Sequence, residues 1–140
     1  TFLTVQKRVD FLVKGVISLV EELGMEKDVM LSSFDHSLVK LARGLSPEIP
    51  GAILVKEPES GVVETLRASR AEIYNISGEV LENGGQGIKN LKKLKEAGSD
   101  FKVNVWTVNE PEDLMEVVNS PYVDGVFTDY PDRLASIIDS

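Results

Sequence analysis

The chain has 140 residues and a mass of 15.4 kDa, room for one ordinary hydrophobic core and too little for two. Its 15 Lys and Arg against 23 Asp and Glu leave a net charge of −8, which argues against a surface built for nucleic acid or for an anionic membrane. The lack of cysteine removes disulfides, thiolate nucleophiles and Cys-based metal sites, and the single histidine restricts acid–base chemistry.

An amphipathic helix is predicted from Val5 to Leu23. Val9, Leu12, Val13, Val16, Ile17 and Val20 recur at helical spacing, charged residues fill much of the opposite face, and Gly24 is a natural stop. Five short β-branched runs follow as predicted strands: Val29–Phe34, Gly51–Val55, Ala71–Ile76, Val103–Val108 with Lys102 leading in, and Val123–Thr128. Helical patterns separate them at about 35–44, 60–69, 86–97 and 110–119, and a last one runs from about Asp132 to Ile138. This alternation marks parallel βα units in one α/β domain. Five such strands suit either an open doubly wound sheet or part of a closed (β/α)8 barrel, and periodicity alone does not separate the two.

Asp35, Asn109 and Asp129 each follow a predicted strand and are placed to cap the next helix, and Asn109-Glu110-Pro111-Glu112 reads as a capping box. The same carboxyl-end junctions carry function in parallel α/β folds, so each polar residue there has two readings. His36 has no second histidine or carboxylate triplet at metal spacing, and a solvent-facing place in a first helical turn accounts for it. Gly84-Gly85-Gln86-Gly87 lacks both the preceding strand and the closing Lys-Ser/Thr pair of a phosphate loop, which leaves a flexible approach to a helix. Lys89, Lys92, Lys93 and Lys95 form a solvated helix face, and Glu57, Glu59 and Glu64 suit a helix dipole as well as a metal. Trp106, late in the fourth strand, either seals the core or stacks on a ligand.

The run from Val103 to Asp113, containing Trp106-Thr107-Val108-Asn109, resembles a signature of glycerophosphodiester phosphodiesterases, and so does Val123-Asp124-Gly125-Val126-Phe127-Thr128-Asp129-Tyr130-Pro131-Asp132. These look like strands seven and eight of that family's (β/α)8 barrel. Leu31-Ser32-Ser33-Phe34-Asp35-His36 looks like its fourth strand, and Ile49-Pro50-Gly51-Ala52-Ile53-Leu54-Val55 like its fifth. The resemblance covers about the whole chain and implies a partial TIM-type barrel, five strands of eight, with residues 1–140 as a single carboxy-terminal portion.

It also implies an activity: hydrolysis of glycerophosphodiesters to glycerol 3-phosphate and an alcohol, with a divalent cation (magnesium or calcium) in the complete enzyme. The family's two catalytic histidines and its metal carboxylates belong to three earlier segments that this sequence does not contain. His36 matches neither histidine. No catalytic or metal-binding residue is therefore expected, no cation is expected to be held by this chain alone, and the chain alone is expected to be inactive. Trp106 would provide an apolar face for substrate, with Ser33, Phe34, Asn75 and Asp129 at strand ends. The expected partners are a glycerophosphodiester and either the missing N-terminal barrel portion or a second copy, with no nucleic acid and no membrane span. A cytoplasmic location is expected ahead of a secreted one. The competing readings are a natural half-barrel serving as a binding or assembly module, and an open α/β binding domain.

Overall fold

The long apolar stripe at the start of the chain forms helix α1 (Phe2–Glu22). Strand and helix then alternate: β1 (Leu31–Ser33), α2 (His36–Leu45), β2 (Gly51–Val55), α3 (Val62–Ala68), β3 (Ile73–Ser77), α4 (Gln86–Glu96), β4 (Lys102–Trp106), α5 (Pro111–Val118), β5 (Gly125–Val126) and α6 (Pro131–Ile138). The computed structural model describes residues 2–80, 85–98 and 100–139, so Gly84 of the glycine cluster lies outside the described residues.

All five strands pair in parallel, in the order β1-β2-β3-β4-β5. A doubly wound sheet reverses its order at a switch point. The unbroken sequential order instead builds a partial (β/α) barrel. The two edge strands are shorter than the runs Val29–Phe34 and Val123–Thr128 because each has a neighbour on one side only.

Successive side chains alternate between the two faces of the sheet. Ile53, Tyr74, Ile76, Val103 and Val105 face the helices and join Val62, Leu66, Leu91, Leu94 and Leu114 in the main core. The other face carries Leu54, Asn75, Asn104 and Gly125 in one register row, with Ser77 and Trp106 in the next. That face is concave. Phe34 follows β1 and Trp106 ends β4, three strand spacings or about 14 Å apart along a flat sheet, yet their ring centroids lie 5.8 Å apart.

At the opposite end of the strands, Arg43 of α2 braces the loops. Its Nη1 donates to Ile49 O at 2.8 Å and also to Pro47 O, and its Nε donates to Arg70 O at 3.0 Å. Gly51 leaves the room: a Cβ there would sit 2.7 Å from Arg43 Cδ. Helix α1 packs Ile17 and Val20 against Ala42 and Ile49, while its Phe11, Leu12 and Leu19, and Leu23 just after it, are exposed.

Candidate functional site at the strand ends

The β-branched alternation of Lys102–Trp106 turns Trp106 onto the concave face at the carboxyl end of β4. The ring leans across to β3, and its Nε1 donates to Asn75 O at 2.9 Å. Phe34 meets it edge to face at an interplanar angle of 85°, a favoured aromatic geometry. The Trp106 ring is half-buried, whereas Phe34 is 60% exposed. Trp106 thus closes the concave face and still presents an aromatic surface.

Asn75 lies behind this wall, 1% exposed. Its Oδ1 accepts from Asn104 Nδ2 at 3.0 Å, and its Nδ2 lies 3.9 Å from Met30 Sδ beside β1. A buried amide must find partners for its polar atoms, and these contacts tie three strands together. Gly125 completes the arrangement, because a Cβ at that position would fall 2.4 Å from Asn104 Oδ1.

The remaining strand-end candidates serve their own loops. Ser33 Oγ accepts from Asp35 N at 3.0 Å. Asp35 caps α2 as the sequence suggests, accepting from Ser37 N at 2.9 Å and from Ser37 Oγ at 2.6 Å. These bonds hold its carboxyl below the ordinary aspartate value, the hydroxyl of Ser37 contributing most.

The expected caps at Asn109 and Asp129 are not formed. Helix α5 starts from Glu110 and α6 from Tyr130, neither with a side-chain cap, so the capping box is absent. Asn109 instead spans the two signature segments. Its Nδ2 donates to Asp129 Oδ2 at 2.9 Å, and its Oδ1 accepts from Asp129 N at 3.0 Å and from Thr128 Oγ1 at 3.3 Å. Arg133 adds a bond from Nη1 to Asn109 O at 2.8 Å. Two neighbouring βα junctions supply better-placed partners than the next helix turn, so Asn109 and Asp129 join β4–α5 to β5–α6.

His36 also departs from the expected solvent-facing place. It is half-buried, with Nε2 3.3 Å from Leu54 O, because the first turn of α2 lies against the end of β2. Among the described residues no three His, Asp or Glu side chains gather to hold a metal ion, and Asp35 and Asp129 are already hydrogen-bonded within their loops. The described residues do not make a cation site. No helix among the described residues is long and apolar enough to cross a membrane.

Of the five sequence candidates, the structure gathers Trp106 and Phe34 in one wall, buries Asn75 behind it in mid-strand, and leaves Ser33 and Asp129 as loop braces. Sequence reasoning missed Asn104, Gly125 and Met30. The signal for Asn104 was present, since a residue two before Trp106 in a strand shares its face. Met30 carried no signal, because its contact with Asn75 depends on sheet curvature.

A family model described as the glycerophosphoryl diester phosphodiesterase family matches residues 3–133. The chain is 28% identical over 123 residues to the uncharacterized protein YqiK of Bacillus subtilis, covering 88% of this chain and 48% of that protein. It is 26% identical over 124 residues to a glycerophosphodiester phosphodiesterase of Caldanaerobacter subterraneus, covering 88% of this chain and 47% of that protein. Among solved structures, an Oleispira antarctica phosphodiesterase in complex with the product sn-glycerol-3-phosphate superposes with a TM-score of 0.81 at 23% identity, over 96% of this chain and 52% of that one. A glycerophosphodiester phosphodiesterase of Parabacteroides distasonis gives a TM-score of 0.78 at 23% identity, over 95% and 52%. The chain therefore spans about half the length of the relatives it matches. With the paired strand-end segments in place and the match running over nearly all its residues, the chain belongs to the glycerophosphoryl diester phosphodiesterase family.

Proposed function

We propose that residues 1–140 form about strands four to eight of a (β/α)8 phosphodiesterase that hydrolyses glycerophosphodiesters to glycerol 3-phosphate and an alcohol, and that this portion supplies the substrate wall. The carrying observation is the Trp106 ring, fixed by Asn75 O and Phe34 at the carboxyl end of the concave face, where parallel barrels place their active sites. Because the indole N–H is taken by a backbone carbonyl, the ring offers carbon faces and edges. These suit the carbon skeleton of glycerol or of the alcohol rather than phosphoryl oxygens. The glycerol 3-phosphate held by the Oleispira antarctica neighbour supports this substrate class.

Phosphodiester hydrolysis near neutral pH needs neutralised phosphoryl charge and a proton for the leaving group. In this reading a divalent cation and the acid–base groups belong to an N-terminal barrel portion. The described residues do not gather three metal-binding side chains, and in this reading the chain by itself does not turn over substrate. Its partners are that portion or a second copy. A half-barrel that serves only binding or assembly is the second reading. It draws on the burial of Ala52, Asn75 and Ser77, at 0%, 1% and 4% exposure, within the sheet's own curve.

In the assembled enzyme, Trp106→Ala is expected to raise KM for glycerophosphocholine about tenfold, the worth of one stacked aromatic contact. An unchanged KM with a lowered melting temperature would make Trp106 a core residue and remove the substrate wall.

A further inference from the structure

A cavity of about 260 Å³ opens at the carboxyl end of β2 on the helix-facing side of the sheet. Trp106 lies on the other face, so this space is separate from the aromatic wall. Its deep part includes Ile53, Val62, Tyr74 and Asn90, all buried.

The hydrogen bonds at the floor have a fixed direction. Asn90 Nδ2 lies 2.9 Å from the backbone oxygen of Glu59, which can only accept, so the amide must present its NH₂ on that side. The same Nδ2 lies 3.2 Å from the Tyr74 hydroxyl, and Asn90 Oδ1 accepts from Gln86 Nε2 at 2.8 Å. The Tyr74 oxygen is therefore an acceptor towards Asn90, and its own proton has no acceptor among the described residues. Burial raises the Tyr74 pKa above the ordinary phenol value, so that proton stays in place at neutral pH. Tyr74, 2% exposed, thus lines the cavity with its hydroxyl oxygen bonded by Asn90 and its proton unclaimed by the described residues.

The rim sets the charge of what fits. His36 Nε2 faces Leu54 O, also only an acceptor, which puts the hydrogen on Nε2 and leaves Nδ1 to accept in the neutral ring. Lys56 is outnumbered by Glu57 and Glu59, so the rim is net negative and disfavours carboxylates and phosphates. We propose that this cavity binds a short uncharged polyol, one hydroxyl oxygen accepting the Tyr74 proton and other hydroxyls donating to Glu57, Glu59 or His36 Nδ1.

His36 and Trp106 are the only histidine and the only tryptophan, so each gives one unambiguous ring signal by NMR. The intact protein would be titrated with glycerol and erythritol, and separately with inorganic phosphate. The polyols are expected to shift the His36 imidazole saturably with the Trp106 indole unmoved, and phosphate is expected to shift neither. Tyr74→Phe should weaken polyol binding about five- to tenfold, the loss of one hydrogen bond. Ser60→Phe, at an exposed position on the rim, should abolish it while leaving the fold intact. A linear, unsaturable response, equal affinity in Tyr74→Phe, or polyol binding unaffected in Ser60→Phe would overturn the site. A saturable shift of the Trp106 indole alone would place the polyol on the aromatic wall and likewise overturn it.

Discussion

Gly125 and Asn104 share a space that holds one side chain. A Cβ at residue 125 would lie 2.4 Å from Asn104 Oδ1, and moving that amide breaks its bond to Asn75, directly beneath the Trp106 ring. Gly125→Ala is expected to cost about 1–3 kcal/mol, as overpacking does, and to change the emission of the single tryptophan. Thermal denaturation followed by fluorescence reads both, and an unchanged spectrum would show that the amide pair does not support the indole. At the other end of the strands, Arg43 contacts Glu72 at 2.9 Å, yet the Glu72 pKa is raised, because burial outweighs the pull of the guanidinium. A raised carboxyl pKa gives stability that is present below the ordinary glutamate value and lost as pH rises through the folded value. Wild type should therefore be more stable relative to Glu72→Gln at about pH 4 than at about pH 7. Arg43→Ala is expected to be far worse, about 3 kcal/mol, because it leaves three loop carbonyls without their donor. Denaturant melts of the two variants at both pH values check the contrast.

Helix α1 shows how far the elements themselves were legible. Its stripe from Val9 to Val20 was read from helical spacing, and the packing of Ile17 and Val20 on α2 agrees with it. All five strands were also legible, since β-branched runs bounded by turn residues are hard to mistake. The ends of the edge strands were not. Pairing decides them, and a single sequence does not show which strand lacks a neighbour. Capping failed at Asn109 and Asp129 for a related reason: their partners are each other, 20 positions apart, and local pattern sees only the next helix turn. Helix α1 also leaves Phe11, at 80% exposure, and Leu19, at 56%, uncovered, while its Leu12, Val13 and Val16 border one space with Leu31–Ser33 of the edge strand β1, with β5 as the opposite edge. Exposed apolar surface next to an unpaired parallel strand favours association. Residues 1–140 alone should sediment as a dimer or larger at micromolar concentration, and Phe11→Ser with Leu19→Ser should shift the distribution to monomer. A wild-type monomer of high thermal stability would mean that the five strands close their own core.

For the whole molecule, sequential strand order joins the sequence to the barrel. Periodicity left the doubly wound alternative open, the resemblance of the motif pair from Trp106 to Asp129 pointed to the barrel, and the strand order β1-β2-β3-β4-β5 agrees with it. The wall was legible in Trp106 and Phe34 because they sit at strand ends, whereas Asn75, expected at a strand end, is the middle residue of β3 and lies behind them. Its depth was not, because the Met30–Asn75–Asn104 contacts exist only once the sheet curves. The proposed role of this concave aromatic face is to complete a hydrolytic site whose acid, base and cation ligands lie on another barrel portion. The most direct test is cation-dependent hydrolysis of bis(p-nitrophenyl) phosphate by residues 1–140 alone and after mixing with a separately produced portion carrying the first three strands of a family barrel. Background rates alone and turnover on mixing, lost with EDTA, are expected. Turnover from residues 1–140 alone, or none from a mixture shown to associate, would contradict the assignment of this chain as the substrate wall of a divided phosphodiesterase site.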